Sequence, residues 1–209
     1  MNTTELITYL IADPDRHARW LNTLSMMENT GARKIAAAED RVHVDLLMLK
    51  HAAEEARHAY YLKKQILKLD ETACPTYEPA YLLAPVESHA YLNRLDVRVC
   101  RYLKRTLGLS GSDLKYAAYL LVTYAIEVRA DELYPIYQDA LTEVGSRVQV
   151  KSIIVEEEGH LAEMLRQMET YFGDWRPHAE QAVAIEKELF GEWIAEVELC
   201  TLGEMVGSA

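Results

Sequence analysis

The sequence predicts an all-α fold: a four-helix bundle with a long crossover, one inserted helix and an extra C-terminal helix. Three observations carry that expectation. Helix breakers are few, with 9 glycines and 6 prolines among 209 residues. Alternation of the β type is hardly visible, whereas apolar residues recur at spacings of three and four. Half of the chain is hydrophobic, enough for one sizeable core. A single domain over 1–209 is therefore expected, with a bundle core at about 14–172. The crossover and inserted helix take about 70–111, and the C-terminal helix about 175–206.

The elements follow in order. A short helix is expected over Glu5–Ile11. Asp13-Pro14-Asp15 then supplies an N-cap, a proline at the first helical position and an acidic first turn, the signature of a helix start. The inner face of this first long helix is Leu21, Leu24, Glu28, Ala32 and Ile35. After a turn near Glu39–Arg41, a second helix runs from Val42 to Leu69 with Met48, His51, Glu55, His58 and Leu62 on one stripe. Asp70–Val86, with Pro75, Pro79 and Pro85, reads as the crossover. The inserted helix covers Val86–Leu107 and stops at Gly108. Ser112 is the expected cap of the third bundle helix, whose inner stripe is Leu120, Tyr124, Glu127, Asp131 and Tyr134, with a kink at Pro135. A turn near Gly145-Ser146 leads to a fourth helix over Arg147–Tyr171, with Val150, Ile153, Ile154, Glu157, His160, Leu161 and Met164 inward. The last helix spans Trp175–Val206 and turns Leu189, Phe190, Trp193 and Val197 to the core.

Two short motifs stand out against this background: Glu55-Ala-Arg-His58 and Glu157-Glu-Gly-His160. With 23 glutamates and 7 histidines in the chain, roughly one Glu-x-x-His arises by chance. The pairing is the signal. A lone helical glutamate precedes each motif, Glu28 by 27 residues and Glu127 by 30. In the first hairpin Glu28 and Glu55 stand about equally far from the turn, so a rise of about 1.5 Å per residue puts them at one height. The second pair is less symmetric about its turn, and a longer loop or a kink must absorb the difference. Four carboxylates and two imidazoles then meet at one level of the bundle, the ligand set of a dinuclear carboxylate site.

In these motifs the chain resembles the ferritin-like di-iron carboxylate superfamily, over roughly residues 14–172. The resemblance implies that Glu28, Glu55 and His58 of the first hairpin, and Glu127, Glu157 and His160 of the second, are metal ligands and catalytic residues. It also implies that Glu55 and Glu157 bridge the metals, with Glu28, Glu127 and the histidines terminal. Oxygen and imidazole donors without thiolate favour iron or manganese over structural zinc. Two iron ions are the expected cofactor, with a mixed manganese–iron pair as the alternative.

Several neighbours have two readings. Glu54, Glu156 and Glu158 adjoin the ligands without facing inward with them, and act either behind the ligands or at the surface. His51 is a hydrogen-bonded core histidine or a neighbour of the site. Asp131 orients a ligand imidazole or makes a surface contact. Tyr124 serves redox chemistry or fills space. Gly31 and Ala32 leave room for oxygen or substrate, or permit close helix packing. Arg94, Arg98, Arg101 and Arg105, with Lys104, form a stripe on the inserted helix: a solvated face, or a docking stripe for an acidic redox protein or phosphate-bearing substrate.

Composition narrows the function. A net charge of −11 disfavours nucleic acid. No long apolar run suggests a membrane span, and Cys74, Cys100 and Cys200, odd in number and far apart, suit reduced thiols in the cytoplasm. The resemblance implies an oxidoreductase, an oxidase or monooxygenase using O2 or peroxide on a small organic substrate. Its electrons are expected from an external ferredoxin or reductase, and its assembly to be a homodimer. The alternatives are ferroxidase and iron storage, or a rubrerythrin-like peroxidase. Missing rubredoxin cysteines, and Ala130 where rubrerythrins carry a further glutamate, count against the latter.

Overall fold

Helix caps written into the sequence set the element boundaries. The computed structural model describes residues 1–40 and 42–206, and all side chains among them except those of Glu158, Glu204, Met205 and Val206. Seven α-helices account for most of these residues: α1 (Thr3–Ile11), α2 (Pro14–Ala38), α3 (Leu46–Ile66), α4 (Pro85–Leu107), α5 (Gly111–Glu143), α6 (Lys151–Phe172) and α7 (Arg176–Val206). A single 3₁₀ turn (Pro79–Tyr81) interrupts the crossover, and no strand occurs among the described residues.

Asn2 and Glu5 form a capping box at α1, and Asp13 accepts from the Arg16 amide to open α2, with Pro14 at the first position. The expected start of α3 at Val42 is four residues early. Asp40 Oδ1 accepts from the Val42 and His43 amides, a local turn that competes with helix, and Asp45 then caps the Leu47 and Met48 amides. The turn itself was expected over Glu39–Arg41, and Arg41 lies outside the described residues. The far end of α3 stops at Ile66 rather than Leu69, where Lys68 and Leu69 amides make shorter-range bonds to Gln65 and Ile66. Gly108 ends α4 in the left-handed conformation, φ 66°, which glycine adopts without a side-chain penalty. Ser112 does not cap α5. The first turn closes earlier, with the Leu114 amide on the Ser110 carbonyl. α5 then continues through Pro135 to Glu143.

α2 packs along α3 and α5 along α6, forming two hairpins, while α4 and α7 cover α5 and α1 lies against α2 and α5. Leu21, Leu24, Leu62, Leu120, Leu141 and Ile153 fill the interior. Trp20 stacks on Trp193 of α7 at 5.6 Å between ring centroids, tying the last helix to the first hairpin. α3 and α6, by contrast, are joined chiefly through polar side chains: Lys50 and His51 to Glu163, Arg57 and His58 to Glu156, and His160 to Glu54.

Register within the second hairpin depends on residues 144–150, not on a tight turn. The Ser146 amide returns to the Leu141 carbonyl, and the Val150 amide reaches Gln138 Oε1 at 2.8 Å. The segment therefore runs back along α5 before α6 begins at Lys151, four residues later than the sequence pattern suggests. Measured from Gln138 and Val150, Glu127 and Glu157 are 11 and 7 residues away, or about 16 and 10 Å along their helices. This narrows the mismatch between α5 and α6 from six residues, counted from Gly145, to four, or from about 9 to about 6 Å.

The crossover is pinned by Asn22, which is fully buried on α2. Its amide donates to the Thr76 and Tyr81 carbonyls at 2.9 Å, and its oxygen accepts from Lys63 Nζ at 2.7 Å. Asn22→Ala strands these partners at about 1–3 kcal/mol for each group left unsatisfied. A lowered urea midpoint with unchanged helical circular dichroism is the expected result.

Candidate metal centre

All six residues singled out by the motifs converge between the hairpins, one or two per helix: Glu28 from α2, Glu55 and His58 from α3, Glu127 from α5, Glu157 and His160 from α6. They fall into two triads, Glu28–Glu55–His58 and Glu127–Glu157–His160. Within each, one potential ligand atom per residue lies within 4.8 Å of the others. Five of the six are buried, and Glu28 is half-buried at the edge. Glu157 stands between the triads, Oε1 at 3.0 Å from His58 Nδ1 and Oε2 at 3.1 Å from His160 Nδ1. Both imidazoles therefore present Nδ1 to the interior.

Their outward nitrogens explain Glu54 and Glu156. Glu156 Oε2 accepts from His58 Nε2, and Glu54 Oε2 accepts from His160 Nε2, each at 2.7 Å. The glutamate immediately before each Glu-x-x-His thus crosses to the other motif's histidine. A carboxylate on Nε2–H fixes the tautomer and leaves Nδ1 as the donor to a metal. Arg57 grips Glu156 through two hydrogen bonds, which holds that carboxylate in place. The doubled glutamates at 54–55 and 156–157 were the available signal, but their crossing could not be read from one helix. The side chain of Glu158 lies outside those described.

His51 is a satisfied core histidine at the border of the centre. Nδ1 lies 2.9 Å from Tyr119 Oη, Nε2 lies 3.1 Å from Glu163, and the ring sits 4.9 Å from that of His160. Asp131 and Tyr124 follow the second of their two readings. Asp131 is exposed and orients no ligand, because its position on α5 has turned away from the bundle axis. Tyr124 is half-buried edge-on against Trp175. The tyrosine at the cluster is Tyr134, two turns beyond Glu127, whose hydroxyl donates to Glu28 Oε1. Its place on the inner stripe was the only sequence hint. Gly31 permits a close approach: a Cβ there would stand 3.3 Å from Glu55 Oε2.

The centre is electrostatically unbalanced as protein alone. Burial, then the neighbouring Glu28, raises Glu55 well above the usual carboxylate range. Burial and the adjacent Glu157 do the same to Glu127. Burial also opposes ionisation of Glu157, but Glu127, His160 and His58 outweigh it and hold that carboxyl low. Burial likewise works against charge on the histidines, yet Glu157 and Glu28 raise His58 to about 9, and Glu127 and Glu157 raise His160 to about 11. Both oxygens of Glu127 and His58 Nδ1 are buried without a well-directed hydrogen bond, although His58 Nδ1 lies 3.0 Å from Glu157 and Glu127 Oε1 lies 3.4 Å from His160. Two divalent cations match these donors in type, direction and charge.

A cavity of about 770 Å³ reaches Glu28 and Glu55 from between α2, α4 and α5. The arginine stripe on α4 divides around it. Arg94 and Arg98 pair with Glu192 and Glu188 of α7, whereas Arg101 and Arg105, with Lys104, line the cavity mouth.

Comparison with family models, with curated proteins and with solved structures finds no match for this chain. No helix among the described residues is long and apolar enough to cross a membrane, and all three cysteines are free.

The pH dependence of the metal-free protein follows in sign. His58 and His160 stabilise the fold fully below about 6.5, and His58 loses that contribution as pH rises through about 9. Glu55 and Glu127, held neutral, favour unfolding increasingly above 4.5. Both effects lower the metal-free melting temperature between pH 6 and 9. Metal affinity runs the other way, since binding displaces protons from the same donors. Melting curves at pH 6, 7.5 and 9, with and without Mn(II), check both signs. A metal-free melting temperature that rises over this range contradicts the electrostatic account.

Proposed function

We propose that the chain is a ferritin-like di-iron carboxylate oxidoreductase that oxidises or hydroxylates an organic substrate. The observation that carries this reading is the pair of Glu–Glu–His triads with crossed outer carboxylates and inner donors turned toward one another. Glu28, Glu55 and His58 would hold one iron, and Glu127, Glu157 and His160 the other, with a manganese–iron pair as the variant. Glu157, placed between the triads, suits a bridging ligand. Bound iron would supply two-electron activation of O2 or peroxide, chemistry that no side chain provides alone.

The protein groups have separable tasks. Glu54 and Glu156 keep the Nε2 protons in place so that both Nδ1 atoms face inward. Tyr134 holds Glu28 through its hydroxyl and brings an O–H group to the edge of the centre. The apolar walls of the cavity exclude water from the Glu28–Glu55 side and admit a substrate there. Hydroxylation balances as one oxygen atom inserted into a C–H bond and one released as water, with two electrons from an external ferredoxin or reductase and two protons from solvent. The cavity favours this reading over iron storage or peroxide scavenging, neither of which uses a large apolar chamber beside the carboxylates. A cytoplasmic homodimer is the assembly expected of such an enzyme.

Reconstitution with Fe(II) is expected to load about two irons per chain, and Glu55→Ala or Glu157→Ala to abolish binding of both. Glu54→Gln and Glu156→Gln should each weaken metal binding by about 10–100-fold. Metal analysis with Mössbauer spectra before and after O2 provides the measurement. Full iron occupancy in the two alanine variants refutes the ligand assignment, and a 24-subunit particle by light scattering revives iron storage.

A further inference from the structure

The cavity beside the carboxylates is asymmetric in charge, and this asymmetry restricts what can enter. Its walls are apolar: Leu24, Ile35, Leu92, Val122, Leu133 and Phe190 are among them. Its inner end carries Glu28 and Glu55. Its lining also includes six cations: Lys34 on α2, Arg101, Lys104 and Arg105 on α4, and Lys115 and Arg129 on α5, of which Arg129 is paired with Glu186 and Glu132. Lys34 pairs with Asp96 across the opening. Arg101, Lys104, Arg105 and Lys115 have no ion pair among the described residues and are exposed. The contrast within α4 is informative, since Arg94 and Arg98 do find acids on α7. Four unneutralised cations cluster at one opening of a chain whose net charge is −11.

We propose that the substrate is an amphiphile with an anionic head group and an extended apolar tail, bound head-outward at Arg101, Lys104, Arg105 and Lys115. The inference rests on the reading of the adjacent centre as an oxidising site only for what happens at the inner end. Orientation follows from charge. A carboxylate or phosphate is attracted to the cationic mouth and repelled by Glu28 and Glu55. The tail gains from burial against the walls at about 25 cal/mol per Å² of apolar surface. The head therefore stays at the mouth and the tail approaches the centre.

Helix geometry bounds the tail length. Six residues separate Glu28 from Lys34 on α2, and twelve separate Lys115 from Glu127 on α5, or about 9 and 18 Å. With carbon–carbon bonds of about 1.5 Å, an extended chain advances about 1.3 Å per carbon, so roughly 7 to 14 carbons span this distance. Oxidation is thereby directed to the tail, remote from the head.

The test uses dodecanoate, dodecyl phosphate, dodecanol and dodecyltrimethylammonium below their micelle-forming concentrations, with the metal-free full chain. Binding is read by calorimetry and by the fluorescence of Trp193, which lines the cavity. The two anions are expected to bind at least tenfold tighter than the alcohol, and the cation weakest. The stronger of the two anions identifies the head group as carboxylate or phosphate. Combined Arg101→Glu, Lys104→Glu and Arg105→Glu substitutions, all at exposed positions, should erase the preference for anions while leaving dodecanol binding unchanged. Ala130→Phe, within the cavity wall, should weaken all four probes together. Equal affinity for acid and alcohol, a preference for the cation, or no effect of charge reversal overturns the proposal. Iron content is measured separately, so anion binding without metal loading defeats the proposed function and not this inference, and the reverse outcome does the opposite.

Discussion

Four carboxylates buried at one level between two helical hairpins are the constraint on which the remaining structure depends. Each buried charge costs several kcal/mol unless neutralised, and the chain spreads the solution over several groups. Burial and neighbouring carboxylates raise Glu55 and Glu127 well above the usual carboxylate range, Glu157 gathers both imidazoles, and Tyr134 supports Glu28. Glu127 nevertheless has only close contacts of poor direction, with His160 Nδ1 at 3.4 Å from its Oε1. A buried carboxyl group held only by poorly directed contacts adds little to stability.

Polar side chains also define how the hairpins meet. The α3–α6 contact consists largely of the crossed glutamate–histidine pairs and the cations that hold the outer acids. Hydrophobic cohesion comes from elsewhere, through α4 and α7 on α5 and the stacked Trp20–Trp193 pair. This division lets the seam be specified by hydrogen-bond direction without jeopardising the fold. It also couples the two motifs, since each histidine is oriented by a residue of the opposite hairpin.

The cavity completes the functional geometry. Its apolar walls come from α2, α4, α5 and α7, and its inner end shares Glu28 and Glu55 with the cluster. Gly31 serves both features, lining the cavity and leaving the space that Glu55 Oε2 occupies. The inserted helix α4 supplies one wall and three of the cations at the mouth.

Much of this protein is legible along the chain because helices are locally encoded. Periodicity and caps placed seven helices, with errors of a few residues where Asp40 and Asp45 side chains compete for backbone amides. The six centre residues were legible as well, because a duplicated spacing projects onto one height when the rise per residue is fixed. What periodicity lacks is azimuth and partner. It put Asp131 and Tyr124 on an inner stripe that the true rotation of α5 turns outward, and it gave no sign that Glu54 reaches His160 and Glu156 reaches His58. It could not separate Arg94 and Arg98, neutralised by α7, from Arg101 and Arg105 at the cavity mouth. The sequence by itself therefore determined the helices and the chemistry of the donor set, which depend on spacing within a chain segment. Only the tertiary structure decided the crossed pairings, the register of α6 and the cavity, because each depends on distances between segments far apart in sequence.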